Sequence, residues 1–485
     1  MRRPTLFAFC SSLLAVALWP SAAYTAAGNP TTPSAAFDRL TLNQVEAPSW
    51  RLGLTITGTT KAESHTSGAA PDANGAAGPD HVVEFINGDF KAFDKRTGKL
   101  IKAMSSQEFW DAALDSKYGP NPDNKDPRLL YDAQAKRWYA TAQRPAYAGA
   151  NFVLARSNGE DPLKGWKGVG VEAFTDRPPG AFVDFDRLGY NADGLFITIN
   201  QFLLKDGRPA PEGVAMFFIK KSDFLQDSPV LTINRREQIK EARDIVPVVD
   251  HDGRSHVATL WGLSASRQST NDLFARIDVT GDLASWTLDH SITTIGDKPG
   301  QLLARTRYPP GTLLQPGGQT ALPLGKQPSA VHLINGDFWE VHTISHPDDV
   351  KRSAFRWWRI RASDNAVLGQ GVLSDPSLNM ILPSMAIDAK GNIVVVGTGL
   401  DAKTPLSVFA LSGRIVGDSV TFDPAFRLVK AGVADAQSDG RWGDYTTTSA
   451  DPEKPGTFWT FAAYPQANGE WATVIAQIIV SDSKK

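Results

Sequence analysis

Aspartate and arginine residues recur in this sequence just ahead of short apolar stretches. The charged or aromatic residues at these positions are Asp80, His81, Asp126, Arg128, Asp184, Asp186, Arg187, Arg243, Asp244, Arg441, Trp442, Asp444 and Tyr445. A guanidinium group binds a carboxylate through two parallel hydrogen bonds, and a carboxyl group near apolar or acidic neighbours can transfer protons. The pattern predicts a site that holds an acidic ligand group beside proton-transferring carboxyls.

Two sets of residues follow from this chemistry. We predict that the catalytic residues are Asp126, Asp186, Asp444 and Tyr445. We predict that the substrate-binding residues are Arg128, Arg187, Arg243, Arg441, Trp442 and His81. Trp442 is included because it lies between Arg441 and Asp444, where an aromatic face could stack on a sugar ring. The alternative is that the aspartates and arginines pair with one another and only stabilise the fold.

A repeated unit positions these residues. The pentapeptide Ile-Asn-Gly-Asp-Phe occurs at Ile86–Phe90 and again at Ile334–Phe338, each time after a short apolar run. Five other stretches share the pattern of a polar start, a strand, a Gly/Asp/Asn turn and a second strand. The units start near residues 79, 127, 186, 244, 328, 383 and 443, roughly 60 residues apart. This spacing suits four antiparallel strands and their loops.

The sequence therefore predicts an all-β fold, a β-propeller of about seven four-stranded antiparallel blades, with six or eight blades as alternatives. The first strand of each blade lines the channel, so the loops leading into those strands gather at one mouth. The alternating segment Trp50–Gly58 precedes the first unit, and Trp471–Val480 ends the last one. We expect the N-terminal segment to complete the last blade and close the ring. A free edge strand is the alternative.

One hairpin carries a resemblance to a known family. Ser449-x-Asp451, followed by Gly456-Thr457-Phe458-Trp459, resembles a stretched form of the Asp-box hairpin of sialidase-like β-propellers. The resemblance covers the architecture of residues 72–482, and no other unit carries the motif cleanly. It implies arginines that clamp a substrate carboxylate, a tyrosine nucleophile and an aspartate acid/base. By position, these parts would fall to Arg128, Arg187, Arg441, Tyr445 and one of Asp126, Asp186 or Asp444.

The N-terminal residues predict export. Arg2 and Arg3, the apolar stretch Leu6–Trp19 and the small residues up to Ala23 have the pattern of a signal peptide over residues 1–23. Residues 24–48 read as a flexible linker and 49–485 as a single propeller domain. We expect a secreted or periplasmic monomer. Cys10 is the only cysteine, so the mature chain would contain no disulfide.

The net charge and the loop sequences bear on which partners and cofactors the protein could bind. A formal net charge of −2 gives no reason to expect nucleic acid as a partner, and no later segment suggests membrane insertion. We predict no cofactor, although Asn121, Asp123, Asn124 and Asp126 form an oxygen-rich loop that suits calcium. The long Gly- and Pro-rich loop Gly296–Lys326 is either a lid over the mouth or a solvated insertion.

These observations predict an exported β-propeller that acts on carbohydrate at the channel mouth. The partner would be a polysaccharide or oligosaccharide with acidic groups, and the reaction either glycoside hydrolysis or polysaccharide lysis. A lyase would use Tyr445 or His81 as its base. The alternative is a non-catalytic propeller that binds a glycan or a protein.

Overall fold

A computed structural model describes residues 49–66, 70–114, 124–144, 151–264, 272–282, 287–296, 298–322, 328–437 and 442–481. The residues predicted as signal peptide and linker, and Arg441, lie outside these ranges. Almost all of the regular structure is β-strand. The strands are rich in Val, Ile, Phe and Trp and end at Gly, Asp or Asn turns, as expected for half-buried strands packed on both faces. In the described ranges no helix is long and apolar enough to cross a bilayer.

The first half of the chain begins with one long strand, β1 (Ser49–Thr60), and continues as antiparallel sheets with two short helices. The first sheet contains β2 (Gly75–Ala77), β3 (His81–Ile86), β4 (Asp89–Asp94) and β5 (Leu100–Ser105), followed by α1 (Ser106–Ala113). The second contains β6 (Lys125–Asp132), β7 (Arg137–Gln143), β8 (Phe152–Ser157) and β9 (Trp166–Val171). The third contains β10 (Ala181–Tyr190), β11 (Gly194–Lys205), β12 (Arg208–Lys220), the helix α2 (Lys221–Phe224) and β13 (Ile233–Ile239).

The second half repeats this order. The next sheet contains β14 (Ala242–Asp250), β15 (Ala258–Ser264), β16 (Phe274–Asp282) and β17 (Thr287–Ile295). A two-stranded hairpin, β18 (Leu313–Leu314) and β19 (Thr320–Ala321), comes before β20 (Val331–Ile334), β21 (Asp337–Ser345), β22 (Ser353–Arg361) and β23 (Val367–Leu373). Then follow β24 (Asn379–Ile387), β25 (Asn392–Leu400), β26 (Ser407–Val416), β27 (Ser419–Phe422) and β28 (Arg427–Lys430). The last strands are β29 (Thr447–Ala450), β30 (Thr457–Pro465) and β31 (Trp471–Ser481).

Within each sheet the strands follow one another in antiparallel order, and the first strands of neighbouring sheets meet. Strand β6 contacts β2 and β10, and β29 contacts β24 and β2. Short parallel ladders join β10, β14 and β20 into one 12-stranded network. Strand β1 pairs antiparallel with β31, from Ser49 opposite Ser481 to Thr60 opposite Ala472. The all-β composition and the successive antiparallel sheets confirm that the fold is all-β, and their arrangement agrees with a β-propeller.

Apolar side chains fill the spaces between neighbouring sheets. One cluster joins Phe85 of β3 to Trp138 of β7, and another joins Val394 of β25 to Ala476 of β31. The largest of the fully buried side chains are Trp110, Trp138, Trp261, Trp339, Trp358 and Trp459. The tryptophans that could have bound sugar are therefore mostly core residues.

A buried Asp or Asn marks the turn after the first strand in most sheets. These turn residues are Asp132, Asn191, Asp250, Asp388 and Asp451. Each side chain accepts hydrogen bonds from main-chain N–H groups of its own turn. Ammonium groups of the neighbouring sheet pair with two of them, Lys221 with Asp132 at 2.7 Å and Lys95 with Asp451 at 2.9 Å. This polar repeat stabilises the side of the propeller opposite the mouth.

The two pentapeptide copies occupy different places in their sheets. Asn87-Gly88 joins β3 to β4, whereas Asn335-Gly336 joins β20 to β21. In the second copy Asn335 and Gly336 both have positive φ, 53° and 77°, which is typical of a type I′ hairpin turn. In the first copy only Gly88 has positive φ, at 89°. The same five residues thus adopt two turn conformations.

Candidate functional site at the channel mouth

A β-bulge recurs where the inner strands begin, on the side that we call the mouth. The register of pairing shifts between Lys125 and Arg128, Asp184 and Arg187, Arg243 and Val246, and Ile381 and Ser384. Each bulge contains a residue with positive φ: Asp126 (52°), Phe185 (56°), Asp244 (51°) and Leu382 (52°). Bulges redirect side chains, and here they bring aspartates from several sheets together.

The carboxyl groups of Asp126 and Asp184 share one hydrogen-bond donor. Nε2 of Gln143 lies 2.6 Å from Oδ2 of Asp126 and 3.3 Å from Oδ1 of Asp184. Both aspartates are half-buried. Burial, followed by the charges of Asp126 and Asp444, raises the pKa of Asp184 to about 7. Asp184 is therefore partly protonated at neutral pH.

Asp72 and Asn87 complete this group from the first sheet. Nδ2 of Asn87 donates to Asp72 at 2.8 Å, and the main-chain N–H of Asp444 donates to Asp72 at 2.7 Å. Oδ1 of Asn87 accepts a hydrogen bond of 2.7 Å from the N–H of Asp126. Burial, then the charges of Asp444 and Asp126 and a hydrogen bond shared with the Asp126 carboxyl, raises the pKa of Asp72 well above its usual value. We call Asp72, Asp126, Asp184 and Asp444, with Asn87 and Gln143, the mouth cluster.

Tyr445 lies beneath the mouth cluster and is buried, with only 4% of its surface exposed. Its hydroxyl donates to the carbonyl oxygen of Pro127 at 3.2 Å, and the guanidinium carbon of Arg128 lies 3.4 Å from the centre of its ring. Burial raises the pKa of Tyr445 well above its usual value. The predicted role as a base or nucleophile does not fit this arrangement, because the hydroxyl is protonated and hydrogen-bonded.

Asp186 is also buried, and it lies apart from the mouth surface. Thr141 donates a hydrogen bond of 2.6 Å to its carboxylate, and burial raises its pKa to about 6. Arg128 and Arg187 both donate to its main-chain carbonyl, at 3.0 and 3.1 Å. Burial, then the charge of Arg128, lowers the pKa of Arg187 to about 10. The two arginines thus lie in the wall beneath the mouth, where a substrate carboxylate would have to displace protein contacts.

The other predicted site residues are scattered. Trp442 packs in an apolar cluster with Leu382 and Leu313. His81 begins β3 on the side opposite the mouth, with Nδ1 3.9 Å from Asp161. Arg243 is half-buried and acts electrostatically on Asp244. Arg441 lies outside the described residues. The structure therefore brings together Asp126 and Asp444 with Asp184. Trp442 lines a small cavity with Asp72 and Tyr445, whereas His81 lies on the opposite side.

Sequence reasoning missed three members of the mouth cluster and gave Asp184 no role. Asn87 belongs to the repeated pentapeptide, so the repeat itself carried a signal that we used only to locate blades. Asp72 lies between β1 and β2, and Gln143 ends β7, where nothing in the sequence distinguishes it. Its importance comes from facing two aspartates that are distant in sequence.

The described part of the long loop packs against the mouth side. Leu313 and Ala321 of the β18–β19 hairpin are buried in the cluster that contains Leu382 and Trp442. Oε1 of Gln315 accepts a hydrogen bond of 2.8 Å from the N–H of Ala436, and Gln315 is 2% exposed. This hairpin is therefore docked on the fold and is not a solvated insertion.

The calcium hypothesis receives no support from the part of the chain that the structure describes. That part contains no group of three or more His, Cys, Asp or Glu residues arranged to hold a metal ion. Asn124 is fully buried, and Asn121 and Asp123 lie outside the described residues.

Comparisons with known proteins give only distant similarity. No protein-family model and no curated protein sequence matches the chain. A crystal structure of a protein of unknown function from Dyadobacter fermentans is 8% identical, with a TM-score of 0.39 over 89% of this chain and 99% of that one. The polysaccharide lyase Uly1 is 9% identical, with a TM-score of 0.39 over 90% and 98% of the two chains. The Trypanosoma rangeli sialidase bound to 2,3-difluorosialic acid is 9% identical, with a TM-score of 0.33 over 88% of this chain and 59% of the sialidase. Likenesses at this level do not assign an activity.

Proposed function

We propose that this protein hydrolyses a glycosidic bond of a carbohydrate at the mouth cluster, with Asp184 as the general acid and Asp126 as the nucleophile. The observation that carries the proposal is the shared amide of Gln143, which holds two carboxyl groups side by side. Asp184 has a pKa of about 7 and can keep a proton for the leaving oxygen. Gln143 donates a hydrogen bond of 2.6 Å to the carboxyl of Asp126 and so holds that carboxyl in place.

The short distance between the two carboxyls favours a retaining mechanism. Nε2 of Gln143 lies 2.6 Å from Oδ2 of Asp126 and 3.3 Å from Oδ1 of Asp184. Because both oxygens bond the same nitrogen, their separation cannot exceed the sum of these two distances. Retaining glycosidases place their carboxyls about 5–5.5 Å apart, whereas inverting enzymes need about 6.5–9.5 Å for a water molecule. Asp126 is therefore assigned as a nucleophile that attacks the sugar directly.

Two features favour a hydrolase of neutral glycans over the predicted enzyme for acidic glycans. Arg128 stacks on Tyr445, and both Arg128 and Arg187 are buried, while the mouth itself presents carboxyls. A uronate would be repelled by these carboxyls once they ionise. Neither of the two residues predicted as the base of a lyase is placed to act, because Tyr445 is hydrogen-bonded to Pro127 and His81 lies on the opposite side.

The proposal includes the assembly and location of the protein. We place the mouth at the centre of a seven-bladed ring that β1 closes by completing the sheet of β29, β30 and β31. The antiparallel pairing of β1 with β31 and the contact of β29 with β2 support this closure. We further propose that the protein is an exported monomer.

The test is a turnover screen of residues 24–485 against neutral and acidic polysaccharides. Reducing ends and unsaturated uronate absorbance are followed together. We expect reducing ends without absorbance, and we expect Asp184→Asn and Asp126→Asn each to lower kcat at least about 10²-fold. The matched control is Asp244→Asn, because Asp244 lies beside Arg187 and Arg243 and not in the mouth cluster. Absorbance at the double bond, or full activity in both variants, would exclude the proposal.

A non-catalytic binding propeller is the second candidate. It is favoured by one observation, that Arg128, Tyr445 and Asp186 all have protein partners, as expected for residues that stabilise the ring. Such a protein would bind glycan in an affinity gel and yield no product from any substrate.

A further inference from the structure

A cleft between the third and fourth sheets is open on the side opposite the mouth. Two other clefts on that side are closed by the lysine–aspartate pairs described above. Each of those lysines follows the residue that pairs with the start of the second strand of its sheet. In the fourth sheet Thr280 has this position, and the facing turn residue of the third sheet is Asn191. These two residues cannot form an ion pair, so the cleft is not closed in this way.

The cleft has a volume of about 230 Å³ and an apolar floor. The buried residues Phe196, Ala258 and Val279 form the floor. Ala192 and Gly281 also line the cleft and leave it wide, because they have little or no side chain. Pockets for drug-sized ligands measure about 300–1,000 Å³, so this cleft suits a smaller molecule, of the size of one sugar residue.

Polar side chains surround this floor. Nδ1 of His256 lies 2.8 Å from Oδ2 of Asp193, and this contact fixes the imidazole while Nε2 remains able to bond a ligand. Lys220 adds an ammonium group and Asp282 a further carboxylate. The cleft therefore offers donors and acceptors above an apolar surface.

The turn that carries Asp193 is held in place by hydrogen bonds. Oδ1 of Asn191 accepts a bond of 2.8 Å from the N–H of Asp193. The N–H of Lys221 donates to the carbonyl oxygen of Asp193 at 2.8 Å. The N–H of Ala192 donates to the carbonyl oxygen of Ser255 at 3.3 Å, which joins the turn to the fourth sheet. A site that is ordered in advance loses little entropy when a ligand binds.

The charges around the cleft favour an uncharged ligand with hydroxyl groups. Asp193 pairs with His256, and Nζ of Lys220 lies 3.8 Å from Asp223. A charged ligand would compete with these pairs. Hydroxyl groups would not, because a carboxylate can accept further hydrogen bonds and an ammonium group has three donors. The C–H face of a sugar ring can pack on the apolar floor at the same time.

We propose that this cleft is a second glycan-binding site, which holds one neutral sugar residue of a polymer. The inference rests on the proposed function for the choice of carbohydrate as the ligand. The cleft and the mouth lie on opposite sides of the protein, so the second site takes no part in the reaction. Binding there keeps a polymer close to the protein and raises its effective concentration at the mouth.

The test uses the methyl glycosides of glucose, galactose and mannose as neutral probes and methyl glucuronoside as a charged one. NMR follows the ring C–H signals of the histidines, and His256→Ala assigns the signal of His256. We expect this signal to shift with at least one neutral probe. The signal of His290, an exposed histidine of β17, should stay in place.

A pair of variants tests the same site with polymers. In affinity gels that contain a neutral glucan, galactan or mannan, His256→Ala should weaken binding at least about fivefold, because it removes a hydrogen-bonding group. His290→Ala is the matched control, since it removes an exposed histidine outside the cleft, and it should leave binding unchanged.

The outcomes separate this inference from the proposed function. If no neutral probe shifts the His256 signal, the inference is overturned, even where the turnover screen finds a product. A shift with the glucuronoside alone would overturn the assignment of a neutral ligand. Equal effects of His256→Ala and His290→Ala in the gels would also overturn the second site. A shifted signal in a protein that yields no product would overturn the proposed function and keep the second site.

Discussion

At neutral pH Asp184 is poised between its two protonation states, since burial and the charges of Asp126 and Asp444 raise its pKa to about 7. Asp186, a buried carboxyl with a pKa of about 6, ionises in the same pH range. Each proton that these groups lose places a charge in a poorly solvated site. The protonation state of Asp184 therefore affects both the proposed reaction at the mouth and the stability of the fold.

We predict that stability falls as pH rises from about 4 to about 7. The raised pKa of Asp184 means that the folded state holds a proton that the unfolded state releases near pH 4. The stabilisation is complete below the pKa of the unfolded state and is lost as pH rises through the pKa of the folded state.

Urea unfolding at pH 5 and pH 8 should show a lower free energy of unfolding at pH 8, and Asp184→Asn should reduce the difference. Asp206→Asn, a control at an exposed position, should leave the difference unchanged. A wild-type protein that is more stable at pH 8 would contradict the assignment.

Tyr445→Phe distinguishes this site from the one that the sialidase resemblance implies. The tyrosine hydroxyl donates to Pro127 and is shielded by Arg128, so its loss should cost about 1 kcal/mol of stability and leave kcat within about threefold. Steady-state kinetics and denaturant unfolding measure the two effects. Tyr464→Phe, in strand β30, is the buried control. A loss of 10²-fold or more in kcat would instead restore Tyr445 as a nucleophile.

At the scale of elements, the turn formed by a given sequence depends on what surrounds it. Asn335 has positive φ in an exposed hairpin turn. Its main-chain N–H donates a hydrogen bond of 2.7 Å to the carboxylate of Asp252. Asn87 is 1% exposed and uses its side chain to bond Asp72, Ala70 and the N–H of Asp126. The same dipeptide is a turn in one sheet and a part of the mouth cluster in another.

This contrast gives a matched pair of variants. Asn87→Ala should lower the free energy of unfolding by about 2–4 kcal/mol, because it leaves buried partners without hydrogen bonds. Asn335→Gly should change it by less than about 0.5 kcal/mol, since glycine adopts positive φ readily. Chemical denaturation of both variants measures the difference. Equal effects would mean that Asn87 acts only as a turn residue.

Much of the element order was predictable, because strands and turns are encoded locally. Alternating apolar residues and the Asp or Asn turns mark each unit, and the predicted starts near 127, 186, 244 and 383 fall within β6, β10, β14 and β24. The site was less predictable, because the bulge shifts which residue reaches the mouth. It brings Asp184 to the mouth cluster and leaves Asp186 buried with Thr141. No local pattern reports a one-residue shift in register, or a glutamine that bridges two sheets.

At the scale of the whole molecule, one buried carboxyl joins the last sheet to the first. Glu84 of β3 is fully buried and accepts hydrogen bonds from Thr59 of β1, at 2.8 Å, and from Thr473 of β31. Burial raises the pKa of Glu84. These hydrogen bonds lie where the proposed ring closes, so their loss should lower the stability of the whole domain.

Glu84→Ala should therefore destabilise the protein as a unit. We expect a loss of about 2–3 kcal/mol, because the hydroxyls of Thr59 and Thr473 each lose a buried carboxylate acceptor and a cavity remains. Glu63→Ala, at an exposed ion pair with Lys91, should cost less than about 0.5 kcal/mol. Unfolding followed by tryptophan fluorescence measures both. If Glu84→Ala were as mild as Glu63→Ala, the junction between the two sheets would not contribute to stability.

The pairing of β1 with β31 has a consequence for the order of events during translation. Ser49 and Ser481, whose hydroxyls lie 3.3 Å apart, are separated by 432 residues of chain. As the ribosome releases the chain, β1 emerges long before its ladder partner β31 exists. During that interval its row of free main-chain groups and its apolar residues are open to any other strand edge. A nascent chain of this kind benefits from a chaperone or from delayed folding until synthesis is complete.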